Sequence, residues 1–444
     1  MKTRIRRIAV TSAALAGALV LASCSGSGTT SESSSGGGTQ SGGAVDGAGK
    51  TLTVWSMTGD LSDATLKAIN DEFTKQTGAQ VKVETQQWTD IATKITTALS
   101  TSTPPDVIDI GNTQVATFAA SGGLADLTAH KEDLAQGQTW LGGLEEPATV
   151  DGSLYAVPSF GAARSVIYNK DVWSKAGITQ APTTYEELKA DLDKVKAANS
   201  ASDFSAMYLP GQYWYAGIQW IWDAGGDLAT QDSKTWTSGF GSAASQKGLE
   251  EWKSFQNTYS SEASRTLNTD APDQDQLFAD GKTSALIGNS WEIGVIEKAN
   301  AKISDSIGTF PMPGASGSNQ PVMLAGSDWG IAAKSQNQDL ALAWVKIAAS
   351  PDIQSTYVFG KDGWIPNSTE GIDAATASSS MKEVSKAFFT AAKNSKATPA
   401  SGGWAQLEDP GIKQFFQSIA SGSASVADAT AGWDKTVNDA LNNG

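Results

Sequence analysis

Residues 51–110 read TLTVWSMTGDLSDATLKAINDEFTKQTGAQVKVETQQWTDIATKITTALSTSTPPDVIDI, and this stretch decides the fold. Thr51 to Trp55 is a short apolar-rich strand. Leu66, Ile69 and Phe73 then recur at helical spacing, with Ser62 placed to cap the helix and Gly78 to stop it. Val81 to Glu84 alternates apolar and charged residues as a second strand. Trp88, Ile91, Ile95 and Leu99 mark a second helix, which Pro104 and Pro105 end, and Asp106 to Ile110 form a third strand. This order predicts an α/β fold with a parallel sheet and helices on its faces. In such sheets ligands bind beyond the carboxyl ends of the strands. Here those ends carry Trp55-Ser-Met-Thr-Gly59 and Gly111-Asn112-Thr113.

Toward the N-terminus, Lys2, Arg4, Arg6 and Arg7 precede an uncharged run from Ile8 to Ala22 and then Leu21-Ala22-Ser23-Cys24. A basic start, a short apolar core and small residues before a cut site make residues 1–23 a secretory signal peptide. The apolar run falls short of the ~20 residues that span a bilayer as a helix. Leu-Ala-Ser-Cys24 resembles the lipobox of bacterial lipoproteins. That resemblance implies that Cys24, the single cysteine, is lipidated and becomes the mature N-terminus, so the protein is lipid-anchored to the cell membrane on its extracytoplasmic side. Residues 24–49 are almost wholly Ser, Gly and Thr. They cannot bury enough apolar surface to fold, and are expected to act as a flexible tether reaching roughly 25–30 Å.

The body from Lys50 to Gly444 is long enough for two domains with a large core. Without the four leader cations, 28 Lys and Arg face 47 Asp and Glu, a balance of −19. With no basic run, nucleic acid and anionic membrane surfaces are poor partners. His130 is the only histidine and reads as a surface residue beside Lys131, Glu132 and Asp133. A Ser-His-Asp or Cys-His machine is therefore not expected, nor a zinc site. No phosphate-binding glycine loop is present, and no cofactor or metal is expected. The 15 tryptophans point to sugar instead. Indole is flat and covers the C–H face of a pyranose, while carboxylates and amides take its hydroxyls.

Further motifs follow in order: Pro105-Asp-Val-Ile-Asp-Ile-Gly111, Gly123-Leu-Ala-Asp-Leu127, Asp151-Gly-Ser-Leu-Tyr-Ala-Val-Pro158 and Val166-Ile-Tyr-Asn-Lys-Asp171. Ala176-Gly-Ile178, Pro182-Thr-Thr-Tyr-Glu-Glu-Leu188, Trp222-Asp-Ala-Gly-Gly226, Phe278-Ala-Asp-Gly-Lys282, Gly288-Asn-Ser-Trp-Glu292 and Gly326-Ser-Asp-Trp-Gly-Ile331 continue the series. In this order, over nearly the whole body, they resemble the extracellular solute-binding proteins of carbohydrate ABC importers, the family that includes the maltose-binding protein. The resemblance implies a two-lobed periplasmic-binding-protein-like clamp of class II with an interlobe sugar cleft. Its implied partners are an oligosaccharide and the ABC permease subunits in the membrane, and a monomer is expected. From where the motifs fall, crossovers are expected near Phe160, Gly326 and Trp364. Lobe one would hold 50–160 plus 327–364, and lobe two 161–326 plus 365–444. Ala341 to Ala349 would be a lobe-one helix burying Leu342, Val345 and Ile347.

By resemblance, Trp291 is a sugar-stacking aromatic with Glu292 as hydroxyl acceptor, and Trp404 is a second stacking aromatic. Tyr213, Trp214, Trp222 and Asp223 are expected to face the cleft from a helix whose other aromatics are core. Asp328-Trp329 and Trp364 sit at crossovers, and Trp55, Trp88 and Asn112 would complete the lobe-one wall. Tyr155 and Arg164 flank the first crossover, on the cleft or bracing the hinge. Trp140, Trp173, Trp236, Trp252, Trp344 and Trp433 are read as structural. Two other functions fit parts of the sequence. A glycoside hydrolase needs paired carboxylates, for instance Glu292 with Asp223 or Asp328, and an adhesive or structural lipoprotein needs no ligand. The leading expectation is a substrate-binding lipoprotein for a di- or oligosaccharide. The Ile-Asp-Ile-Gly-Asn-Thr-Gln114 stretch resembles members that take chito-oligosaccharides, while β-glucosides, xylo-oligosaccharides and α-glucosides stay open.

Overall fold

The computed structural model describes residues 45–443. The signal peptide, Cys24 and almost all of the tether lie outside them. Five strands form the first sheet: β1 (Thr51–Met57), β2 (Gln80–Gln86), β3 (Val107–Gly111), β4 (Ala156–Ala162) and, from late in the chain, β8 (Ala325–Ile331). Their order is β2-β1-β3-β8-β4. β1 pairs in parallel with both β2 and β3, as the alternation of strand and helix predicts. β8 enters antiparallel between β3 and β4. A second sheet has the order β6-β5-β7, from β5 (Arg164–Asn169), β6 (Ala285–Asn289) and β7 (Ile307–Phe310), all antiparallel.

Five helices position the site or support it: α1 (Asp63–Thr77), α2 (Ile91–Ser100), α3 (Trp214–Asp223), α4 (Ser290–Ala299) and α5 (Gln338–Ala348). α1 begins and ends where its sequence dictates. The Ser62 side chain accepts from the Thr65 amide, and Gly78 takes the left-handed conformation at φ 74° that favours glycine. Leu66, Ile69 and Phe73 form its buried stripe. α2 buries Ile91, Ile95 and Leu99, but Trp88 lies before its first turn. α5 buries Val345 and Ile347 as expected, with Leu342 only half-buried.

Burial divides the body into two lobes. Around the first sheet, Leu52, Val54, Ile108, Ile110, Trp329 and Trp344 belong to one core. The second sheet is covered on both faces, and its strands alternate between two cores as period-2 geometry requires. Val166 and Ile287 join Trp173, Trp220 and Trp252 on one side, while Ile167 and Leu286 join Phe278 and Phe388 on the other. Leu141 and Leu144, from the segment expected in lobe one, pack into this last core. The chain passes from the first sheet to the second between β4 and β5, and returns between β7 and β8.

Candidate functional site

Phe160, Gly326 and Trp364, the three expected crossover residues, lie side by side. Gly326 pairs with Gly161 in the ladder between β8 and β4. Gly161 exchanges backbone hydrogen bonds of 2.8 and 3.0 Å with Ile365. The Trp364 ring stacks on Phe160 at 4.8 Å between centroids. Gly326 has φ +147°, and a Cβ there would stand 2.2 Å from the Phe160 carbonyl oxygen. Only glycine fits that contact.

Above these residues opens a cleft of about 640 Å³, fed by both lobes. Phe160, Ala162, Gly326 and Ser327 form its base. On the lobe-one side stand Thr58, Gly59 and Asp60 after β1, and Gly111 to Gln114 after β3, so the carboxyl ends of both strands open into it. Trp88 leans over Gly111, where a Cβ would meet the indole ring at 3.5 Å. The lobe-two side presents Arg164, Tyr215, Trp291 and Glu408. Trp88 and Trp291 are 42% and 44% exposed, unusual for tryptophan. Trp364 bridges the two sides: its Nε1 donates to the Asp60 carbonyl at 3.0 Å, and its ring meets Trp291 edge-on at 5.7 Å.

Of the residues the sequence nominated, the structure brings Trp88, Asn112, Arg164, Trp291 and Trp364 to the cleft. Asn112 contributes little free polarity, because its amide already donates to the Leu324 carbonyl at 2.9 Å and its Oδ1 accepts from Thr113. The others lie elsewhere, each for a local reason. Strand β1 runs on to Met57, so Trp55 sits mid-strand; its Nε1 donates to Glu84 at 2.8 Å and Lys94 of α2 covers its ring. Trp329 is mid-strand in β8 and packs edge-on against Trp344 of α5 in the core. Trp214, Trp222 and Trp404 are buried in the lobe-two core, Trp214 against Trp404. Tyr213 is buried behind the wall, its hydroxyl accepting from Arg164 Nε at 3.0 Å. Asp223 accepts from Ser316 Oγ at 2.6 Å and ties down a loop.

Glu292 is not a free hydroxyl acceptor. It closes the capping box of α4, accepting from the Asn289 amide at 2.7 Å and from Gln274 at 2.6 Å. The adjacent Asp275 carboxyl is pushed up to about 8 by burial and by the Glu292 charge. Asp328 is fully buried with no hydrogen-bond partner for either oxygen. Burial holds its pKa well above the carboxylate range.

Sequence reasoning missed Tyr215, Asp60, Phe160 as a cleft surface, and Glu408. Tyr215 follows Trp214, and successive helical residues point about 100° apart. With no side-chain cap at Tyr213 to fix where α3 starts, the sequence left that phase undetermined. Glu408 stands four residues after Trp404, whose Nε1 donates to it at 2.9 Å; the i,i+4 spacing was the available signal. Burial raises the Glu408 pKa to about 7.

Asp60 accepts from Ser327 Oγ at 2.7 Å. Burial raises it to about 6, against the opposing effects of Ser327 and Asp109. Asp109, fully buried and facing the Asp60 charge, is also held well above the carboxylate range, first by burial and then by that charge. Among the described residues, no group of three or more His, Cys, Asp or Glu is arranged to hold a metal ion, and no helix is long and apolar enough to cross a membrane.

The profile of the family described as bacterial extracellular solute-binding protein matches residues 58–355. The diacetylchitobiose binding protein DasA of Streptomyces coelicolor is 36% identical over 385 residues, 86% of this chain and 88% of that one. The sugar-binding protein MalE of Xanthomonas citri superposes with a TM-score of 0.76 at 20% identity, covering 89% of this chain and 98% of that one. The GacH receptor of Streptomyces glaucescens, solved unliganded and with acarbose, gives 0.71 at 23% identity, covering 89% and 99%.

Proposed function

The chain belongs to the bacterial extracellular solute-binding protein family, and from that premise we propose that it captures a di- or oligosaccharide in the interlobe cleft and delivers it to an ABC permease. The observation that carries this reading is the convergence of Trp88, Trp291 and Trp364 on one cleft that also holds Arg164 and Glu408. Covering ~50 Å² of a pyranose face is worth on the order of 1 kcal/mol. Three indoles then supply roughly 3–4 of the ~8 kcal/mol that micromolar binding needs. Polar groups must supply the remainder, and the cleft has them. The 36% identity to a diacetylchitobiose binding protein supports a chito-oligosaccharide as ligand.

The lobes are proposed to close about Phe160, Gly326 and Trp364, where their backbones touch. Lobe one is taken as 50–160 plus 327–364 and lobe two as the rest of the body, with Leu141 and Leu144 packing across that division. Anchoring through Cys24 rests on the Leu-Ala-Ser-Cys24 sequence and is tested by the mass of the mature N-terminus, which would carry lipid.

The function is tested by thermal unfolding followed by tryptophan fluorescence against a panel of sugars. A ligand at 100 times its dissociation constant adds ~2.7 kcal/mol, enough to raise the midpoint. A protein of a solute-binding family returns its sugar intact after long incubation, whereas a glycosidase would not. If neither mono- nor oligosaccharides move the midpoint, the adhesive reading replaces this one.

A further inference from the structure

Arg164 opens β5 on the lobe-two side of the cleft. It is 6% exposed. Its guanidinium carbon lies 4.4 Å from the centre of the Tyr215 ring and 5.8 Å from that of Tyr213. Nε donates to the Tyr213 hydroxyl. Nη1 is enclosed and has no partner. The other arginine of the body, Arg265, pairs with Glu262 at 3.6 Å, but Arg164 makes no ion pair among the described residues. A buried charged donor with an unmade hydrogen bond is costly. Two tyrosines nevertheless hold the guanidinium in place, with its other edge lining the cleft without an ion-pair partner.

The ligand group that this cleft-lining edge calls for is an acceptor, since a guanidinium only donates. Its planar fork favours planar sp² oxygens, which accept more strongly than a sugar hydroxyl. Pyranoses carry such an oxygen in two forms, the carbonyl of an N-acetyl group and the carboxylate of a uronic acid. The surroundings separate the two. Ala162, two residues from Arg164, is the register partner of Ala325, and both line the cleft with Met323. This wall suits a methyl group and offers no second cation for a carboxylate. We infer that Arg164 donates from the edge of its guanidinium that lines the cleft to the carbonyl oxygen of an acetamido group, making it the residue by which the cleft selects N-acetylated sugars. This inference rests on the reading of the cleft as an oligosaccharide site.

Calorimetric titration of the protein with N,N′-diacetylchitobiose, cellobiose and cellobiouronic acid tests it from the ligand side. The expected order places diacetylchitobiose first, with cellobiose weaker by about 10- to 100-fold, the range of one charge-assisted hydrogen bond. Arg164→Met should bring the two neutral disaccharides to within a few-fold by weakening only the acetylated one, and Arg164→Lys should restore part of the difference. Thermal midpoints of the variants identify any that fail to fold, and the ligand series on the unaltered protein decides without them. Equal binding of cellobiose and diacetylchitobiose, preference for the uronic acid, or equal weakening of both neutral sugars in folded Arg164→Met would each overturn the inference while leaving oligosaccharide binding in place. No binding of any sugar across a broad panel would overturn both.

Discussion

Replacing Asp60 by Asn should stabilise the protein at neutral pH and remove a specific part of its pH dependence. Asp60 lines the cleft, accepts from Ser327 and faces Asp109. Its pKa stands at about 6 instead of the ordinary 3.8, chiefly because burial disfavours the charged form. At ~1.4 kcal/mol for each tenfold change in proton affinity, this displacement corresponds to roughly 3 kcal/mol. The sign follows from linkage. Between about pH 4 and 6 the folded state holds a proton that the unfolded state has released, so stability falls as pH rises through that window and is level above it. Asn is neutral throughout and can still accept from Ser327 Oγ. It also removes the negative charge beside Asp109, which acts in the same direction. Urea unfolding at pH 4, 5, 6 and 7.5 should show Asp60→Asn more stable than the parent by about 1–3 kcal/mol at pH 7.5, with the gap closing toward pH 4. A variant no more stable at pH 7.5, or an offset constant across the series, would refute the burial argument.

Gly326→Ala should destabilise the protein by about 2 kcal/mol or more, because φ +147° is a glycine conformation and the new methyl would meet the Phe160 carbonyl; thermal midpoints measure this. Trp291→Ala should weaken sugar binding about tenfold with little change in midpoint, since the ring is largely exposed at the cleft. Trp329→Ala should do the reverse, costing about 3–5 kcal/mol of stability through lost core packing while affinity holds in the folded fraction. Glu408 titrates near pH 7 because burial disfavours its charge. A ligand that dehydrates it further should bind more weakly at pH 8 than at pH 6, and Glu408→Gln should flatten that profile in a fluorescence titration.

The sheet was legible from residues 51–110 because the signals there are local. Ser62 and Gly78 each act on backbone within a few residues, and the alternation in Val81 to Glu84 needs only its own neighbours. The insertion of β8 between β3 and β4 left no such mark, since Gly326 to Ile331 follows β3 by more than 200 residues. Crossovers were expected near Phe160 and Gly326 because one motif ends at Pro158 and another begins at Gly326. Which tryptophans reach the cleft was not legible.

The reason is geometric. One residue of phase turns an indole on a helix by about 100° and one on a strand to the opposite face. Trp214 and Tyr215 are neighbours, yet one is core and the other lines the cleft. Trp55 and Thr58 belong to the same motif, but β1 continues past Trp55 and only Thr58 emerges at its end. Trp88, Trp291 and Trp364 share a different property: each stands outside a regular element or in its first turn, where the chain leaves its packing partners. Trp88 precedes α2, Trp291 is the second residue of α4, and Trp364 follows the turn at Gly363. An aromatic at such an end has one face on the fold and the other free, the condition a stacking platform needs. Trp404 departs from this pattern: it stands just before a short helix, yet packs against Trp214 in the lobe-two core. Glu408, the residue Trp404 holds, lines the cleft in its place.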